Sequence, residues 1–136
     1  MAILSTDAIC SAIDNVTGDF VYLNGRRVLA TGISAVVQGI RRRIGTISGE
    51  WFLDLDLGVR WFERDHVPAT AAILGQKFDA TKVDAEVRRA ILSTPAVTSV
   101  LRIDVAFNGA TRGCSITWQA RCAFGDTPVD TLAIGA

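Results

Sequence analysis

The chain of 136 residues holds one histidine, one methionine, one tyrosine and three prolines, and its lysines and arginines equal its aspartates and glutamates. Each scarcity removes a class of function. The lone His66 has no cysteine or carboxylate pair at ligand spacing, and CxxC and HExxH patterns are missing, so no metal site is expected. Nucleophile elbows and phosphate-cradling glycine loops are missing as well, and nothing implies a cofactor. A formal net charge of zero gives none of the positive field that a protein living on nucleic acid needs. No apolar run approaches the ~20 residues that cross a bilayer. The opening MAILSTDAICSAID puts no positive segment ahead of its short apolar patches, so a cytoplasmic site of synthesis is expected and no membrane partner. Of the three cysteines, Cys114 and Cys122 fall in what reads as one strand, roughly 26 Å apart, which no disulfide closes. Cys10 could reach either, but three reduced, small, buried side chains is the plainer reading.

What is present is a single core's worth of apolar residues, 49% of the chain, and a clear order of periodicities. Residues 1–17 carry only a weak period (Ile9, Ile13, Val16), compatible with a short helix or with an arm ordered by a partner. DFVYLNGRRVLA reads as a hairpin turning on Asn24-Gly25, with Leu23 facing Arg26, Tyr22 facing Arg27 and Val21 facing Val28. Ile33, Val36, Val37, Ile40 and Ile44 then form one helical stripe, with Thr31 as the expected N-cap and Gly45 as the expected left-handed terminator. A second helix is expected from Thr81 to Ser93, its Val83, Val87, Ala90 and Ile91 inward and Asp84 paired with Arg88 on the surface, before Pro95 stops it.

Between the helices, WFLDLDLGV reads as a short strand or extended loop turning at Gly58, with Leu53, Leu55 and Leu57 inward and Asp54 and Asp56 outward. HVPATAAILGQKFD should be irregular. Two long alternating runs follow. In VTSVLRIDVAF the apolar set is Val97, Leu101, Ile103, Val105 and Phe107; in CSITWQARCAF it is Cys114, Ile116, Trp118, Ala120, Cys122 and Phe124. A turn through NGATRG sets Phe107 opposite Cys114, Val105 opposite Ile116, Ile103 opposite Trp118 and Leu101 opposite Ala120, which puts both sets on one face. A tighter turn on Asn108-Gly109 would bury Arg112 and is the worse register. The other face, with Arg102, Asp104, Ser115, Thr117, Gln119 and Arg121, meets water or a polar partner. The fold expected is a small single α+β domain, a mixed, mostly antiparallel sheet with two α-helices packed on one face.

The stretch SGEWFLDLDLGVRWFERD, Ser48 to Asp65, crowds carboxylates around Trp51 and Trp61. If extended, it would set the Cα atoms of Asp54 and Asp56 about 7 Å apart, compatible with a glycosidase pair, with Glu50, Glu63 or Asp65 as a second group. A peptidoglycan hydrolase is therefore the alternative reading. Nothing in the sequence, however, keeps one carboxyl protonated beside an ionised neighbour, since Arg60 and Arg64 favour ionisation of both. Structural and contact readings absorb the same residues: acids guard a strand edge, and tryptophans among arginines suit protein contacts. Arg41, Arg42 and Arg43 end the first helix, where cations are favoured, and could equally dock on an acidic partner.

An arginine-rich helix leading into RIGTISGEWFLDLDLGVRW, then ILGQKFDATKVDAEVRRAILSTPAVTSV, then a hairpin ending TWQARCAFGD, resembles the baseplate assembly protein W or lysozyme-like baseplate wedge (sheath initiator) family of contractile tails. That family also occurs in Mu-like phages, pyocins and type VI secretion baseplates. The resemblance spans Gly18 to Gly125, and its most specific parts are Gly49-Glu50-Trp51 with Asp54 and Gly58, Ile73-Leu74-Gly75, and the helix with Glu86 and Arg88. Relatives often carry proline where this chain has Leu55, and another before the Gly-Glu pair, where Ile47 and Ser48 stand. The resemblance implies a non-enzymatic subunit of the virion tail baseplate, assembled in the host cytoplasm and present in multiple copies, six being the expected number. Its implied partners are baseplate wedge proteins, the tail sheath protein and possible contact with the tail tube, with sheath subunits joining by strand addition. The residues expected to carry these contacts are Arg41, Arg42, Arg43, Glu50, Trp51, Asp54, Trp61, Arg121, Thr131, Leu132 and Ile134. Glu50 and Arg43 would fix the loop after the first helix, and the two tryptophans would pack at the wedge contact. Residues 1–17 and 126–136 would be arms flanking a domain of residues 18–125, ordering against a neighbour.

Overall fold

The first strand of the chain finds its partner across a hairpin. A computed structural model describes residues 9–14, 16–62, 67, 71–74 and 77–134. In it β1 (Ile9–Ser11) pairs antiparallel with β4 (Leu29–Thr31), Ile9 opposite Thr31 and Ser11 opposite Leu29. Between them β2 (Tyr22–Leu23) and β3 (Arg26–Arg27) form the expected hairpin. Asn24 and Gly25 have φ of 51° and 75°, the two left-handed positions that a type I′ turn demands. Ile13 bridges to Phe20 and closes this N-terminal meander. The segment from Ile9 is thus a strand rather than a helix.

α1 (Ile33–Gly45) follows β4 directly and buries Ala35, Val36, Ile40 and Ile44, largely the stripe its period predicts. Both expected caps are corrected. Thr31 is the last residue of β4, and Gly32, at φ 62°, occupies the N-cap with no side-chain bond, because the strand-to-helix turn needs a left-handed residue there. Gly45 is still helical; the helix ends when Thr46 goes extended, its hydroxyl donating to the Arg42 carbonyl at 2.7 Å. α2 (Ala80–Leu92) is capped by the Asp79 carboxylate, which accepts from the N–H of Thr81 and of Lys82. Asp84 and Arg88 pair at 3.3 Å as expected for neighbours one turn apart.

The main sheet is built on β6 (Gly113–Cys122), flanked by β5 (Val97–Asn108) on one side and by β7 (Gly125–Asp126) and β8 (Asp130–Ile134) on the other. The predicted register holds from Phe107 opposite Cys114 through Ile103 opposite Trp118. Beyond that it shifts: Val100, not Leu101, faces Ala120, because a bulge between Val100 and Arg102 displaces the strand, and a second between Val97 and Ser99 shifts it again. Leu101 is turned outward in consequence, 42% exposed. Phe124, expected on the core face, is also exposed; Phe107 leaves the core to stack on Phe78 at 4.3 Å.

Both helices cover the face of β6 that carries Ile116, Trp118 and Ala120, each fully buried, and Val36, Ile40, Ile44, Val83, Val87 and Ile91 complete this core. The fold is therefore α+β with a mostly antiparallel sheet and two helices on one face. All three cysteines are free. No helix among the described residues is long and apolar enough to cross a membrane.

Candidate functional site

The segment from Thr46 to Phe62 is held by its own backbone. Val59 N–H donates to the Thr46 carbonyl at 3.0 Å and Ser48 N–H to the Val59 carbonyl at 2.9 Å, a short parallel bridge between Ile47 and Val59. Gly58, at φ 99°, sits so close to Thr46 that a Cβ would lie 2.3 Å from the Thr46 carbonyl oxygen, so only glycine closes the loop. Above the bridge Gly49 N–H and the buried Ser48 hydroxyl both donate to the Leu55 carbonyl, at 2.8 and 3.1 Å. Asp54 N–H donates to the Trp51 carbonyl, and the Asp54 carboxylate accepts the Asp56 N–H at 3.1 Å.

These are consecutive turns, not a strand, and they overturn the alternation expected of WFLDLDLGV. Leu53 and Leu55 are not in the core; with Trp51 and Phe52 they form an apolar ridge in water, Phe52 at 80% exposure and Leu53 at 68%. Glu50, Asp54 and Asp56 are exposed around it. Trp51, Glu50 and Asp54 are thus brought together on one accessible loop. Trp61 is not. It is 6% exposed, packed in the core, and its indole N–H donates to the Ile44 carbonyl at 3.0 Å, satisfying a backbone acceptor at the end of α1. The expectation that Trp61 packs against a partner is corrected on that placement.

Beneath the loop lies a charged knot. Glu86 of α2, its side chain 8% exposed, accepts from Arg60 at 3.0 and 2.5 Å and from Arg89 at 3.2 Å. Arg89 also donates to the Gly58 carbonyl at 2.9 Å, stitching α2 to the loop. Burial pushes the Glu86 carboxyl up, but the hydrogen bonds and charges of the two guanidiniums outweigh it and hold the group below the usual glutamate range. The cleft beside this knot, about 180 Å³, is lined by Ser48, Leu55, Asp56, Arg60, Val67 and Arg89 and offers one carboxylate. Among the described residues no second acid lines it. Glu63, Arg64, Asp65 and His66, which sequence reasoning also considered, lie outside the described residues. Among the described residues no group of histidine, cysteine or acid side chains is arranged to hold a metal.

The three arginines of α1 separate in role. Arg41 grips Asp130 of β8 with both carboxylate oxygens, at 2.8 and 2.6 Å, and ties the helix to the C-terminal strand. Arg42 is exposed. Arg43 is half-buried, its Nε without a hydrogen-bond partner among the described residues, and burial together with the charge of Arg42 pulls its pKa below the usual arginine value despite Asp54 nearby. Arg121 and Asp126 pair in the open at 2.8 Å, which raises the arginine and lowers the aspartate from their ordinary values. On β8, Thr131 shares a hydroxyl hydrogen bond with Thr117 at 3.0 Å, while Leu132 and Ile134 pack against the core. The C-terminal segment is thus seated on β6 of its own chain. Thr127, 1% exposed, fastens it: its hydroxyl accepts from Ala120 N–H and its own N–H donates to the Ala120 carbonyl.

Among the described residues β5 pairs only with β6, and so does β8, so the outer edges of both are free backbone. The sequence profile of the contractile injection system sheath initiators matches residues 11–125, most of the chain, including both helices and the β5–β6 hairpin. The chain belongs to that family. Its role is accordingly structural, in a contractile tail, among other tail components such as the sheath. A crystal structure from Geobacter sulfurreducens, provisionally named a tail lysozyme, is similar in fold, with a TM-score of 0.53 at 16% identity over 74% of this chain and 86% of that one. No curated protein sequence matches.

Proposed function

We propose that the chain is the subunit on which sheath polymerisation begins, seated on baseplate wedge proteins around the tail tube in several copies, six per particle. Its place is then the baseplate of the tail, with assembly in the host cytoplasm. The observation that carries this reading is free sheet edge in a member of the sheath initiator family. Backbone N–H and C=O groups on an open edge accept an incoming strand with little demand on its sequence.

The two edges are not equally guarded. β5 carries two bulges and the exposed Arg102–Asp104 pair, both of which discourage pairing. β8 pairs without a bulge, and its only charge, Asp130, is turned inward by Arg41. The β8 edge is therefore the better acceptor for a sheath strand. Residues 126–136 act as a C-terminal arm in this reading, with β8 on β6 presenting that edge.

The apolar loop ridge, with Trp51 and the acids Glu50 and Asp54, serves as the wedge contact, and the acids work as contact groups, not as catalysts. Tails assembled without this chain should have tubes and baseplates but no sheath by electron microscopy, and adding it back should restore sheathed tails. Normal sheaths in its absence would overturn the reading.

A further inference from the structure

The N-terminal meander presents one face to α1 and the other to solvent. By register and alternation, Cys10, Ala12, Val21, Val28 and Ala30 face inward, half-buried, and Gln38 of α1 pins the meander by donating to the Ser11 carbonyl at 2.6 Å and accepting the Ile13 N–H at 3.0 Å. The outward face is apolar to an unusual degree. Ile9 is 63% exposed, Phe20 47%, Tyr22 58% and Leu29 60%, and Ile13 joins them. Isolated exposed apolar residues need no explanation, but a row of them on one rigid sheet face does.

At the middle of this face stands one charge. The Arg27 guanidinium lies over the Phe20 ring at 4.3 Å and 6.0 Å from the centre of Tyr22, and it has no ion pair among the described residues. Stacking holds the cation in place and partly dehydrates it without neutralising it. Such a group favours a carboxylate arriving on an otherwise apolar surface, where a desolvated ion pair is worth most. Nucleic acid and anionic lipid fit less well, since Asp14 and Asp19 stand in the exposed turn of the same meander and the chain has no net charge.

We infer that this face, Ile9, Ile13, Phe20, Tyr22, Leu29 and the central Arg27, is a third protein-docking surface, whose occupant is a neighbouring tail subunit presenting an apolar patch with an aspartate or glutamate for Arg27. The inference rests on the proposed tail role for its choice of partner, and it is separate from the sheet edges and the loop ridge.

A photo-cross-linking amino acid at position 22, in assembled tails, tests it. The expected result is a cross-link to one other tail subunit through a peptide containing an acidic residue among apolar ones. Arg27→Glu should cut its yield by at least about tenfold, while Arg27→Lys keeps most of it. Leu29→Ser, an exposed change outside the core, should also lower the yield with the melting temperature of the purified chain unchanged. Sheathed tails containing the chain but giving no cross-link would overturn this inference alone. So would a cross-link indifferent to Arg27→Glu, or binding to anionic vesicles or DNA that Arg27→Glu abolishes. Sheathed tails that form without the chain would instead overturn the tail role.

Discussion

Trp51 and Trp61 belong to one short loop and meet opposite fates: the first is 45% exposed on a ridge of apolar side chains, the second 6% exposed with its indole bonded to the end of α1. Around Trp61 every feature supports the fold: the bridge of Ile47 to Val59, the glycine at 58, and the Arg60–Glu86–Arg89 knot. Around Trp51 the backbone is equally well bonded, but the apolar side chains of Trp51, Phe52 and Leu53 stay in water. Exposed apolar surface forgoes about 25 cal/mol for each Å² left in water, which the proposed wedge contact would recover.

That contrast can be broken from the inside first. Gly58→Ala forces a Cβ against the Thr46 carbonyl at a left-handed φ and should cost about 2–5 kcal/mol in denaturant unfolding, collapsing both regions together. Glu86→Gln leaves two guanidiniums without their carboxylate and should cost about 1–3 kcal/mol. Because Glu86 titrates below its ordinary value of 4.5 when folded, its contribution is present above the unfolded pKa and lost as pH falls through the folded one. Melting temperature should be level from neutrality to about pH 5 and fall below it, less steeply in Glu86→Gln. Trp61→Phe keeps an aromatic ring but loses the indole's pyrrole ring and the N–H bonded to the Ile44 carbonyl, and should cost at least about 1 kcal/mol. Trp51→Ser and Leu53→Ser should change stability by less than about 0.5 kcal/mol, yet weaken co-purification with wedge proteins. A large loss of stability in the last pair would mean the ridge serves the fold after all.

Much of the core was legible in sequence because its periods are strong. The α1 stripe, the α2 stripe with Asp84 and Arg88, the Asn24-Gly25 turn and most of the long hairpin register all follow from local chemistry. What misled was context. Alternating Leu and Asp in 53–57 mimics a half-buried strand, but Gly49 and Gly58 are both left-handed and fold the segment into turns. Leu101 matched the period of its strand, and a bulge that no residue type announces turned it outward. Thr31 looked like a cap because the left-handed demand at Gly32 is set by how β4 meets α1. The Arg41–Asp130 and Arg60–Glu86 pairs join residues far apart in sequence, and neither spacing nor composition marks them. Trp51 and Trp61 are the same residue type in similar surroundings, and only the fold separates them.

The most direct test is a cryo-electron microscopy reconstruction of the junction between sheath and baseplate in intact tails. A sheath segment in extended form, hydrogen-bonded along the outer edge of β8, is the predicted result. Sheath subunits that reach this chain only through side chains, with both sheet edges bare, would contradict the account.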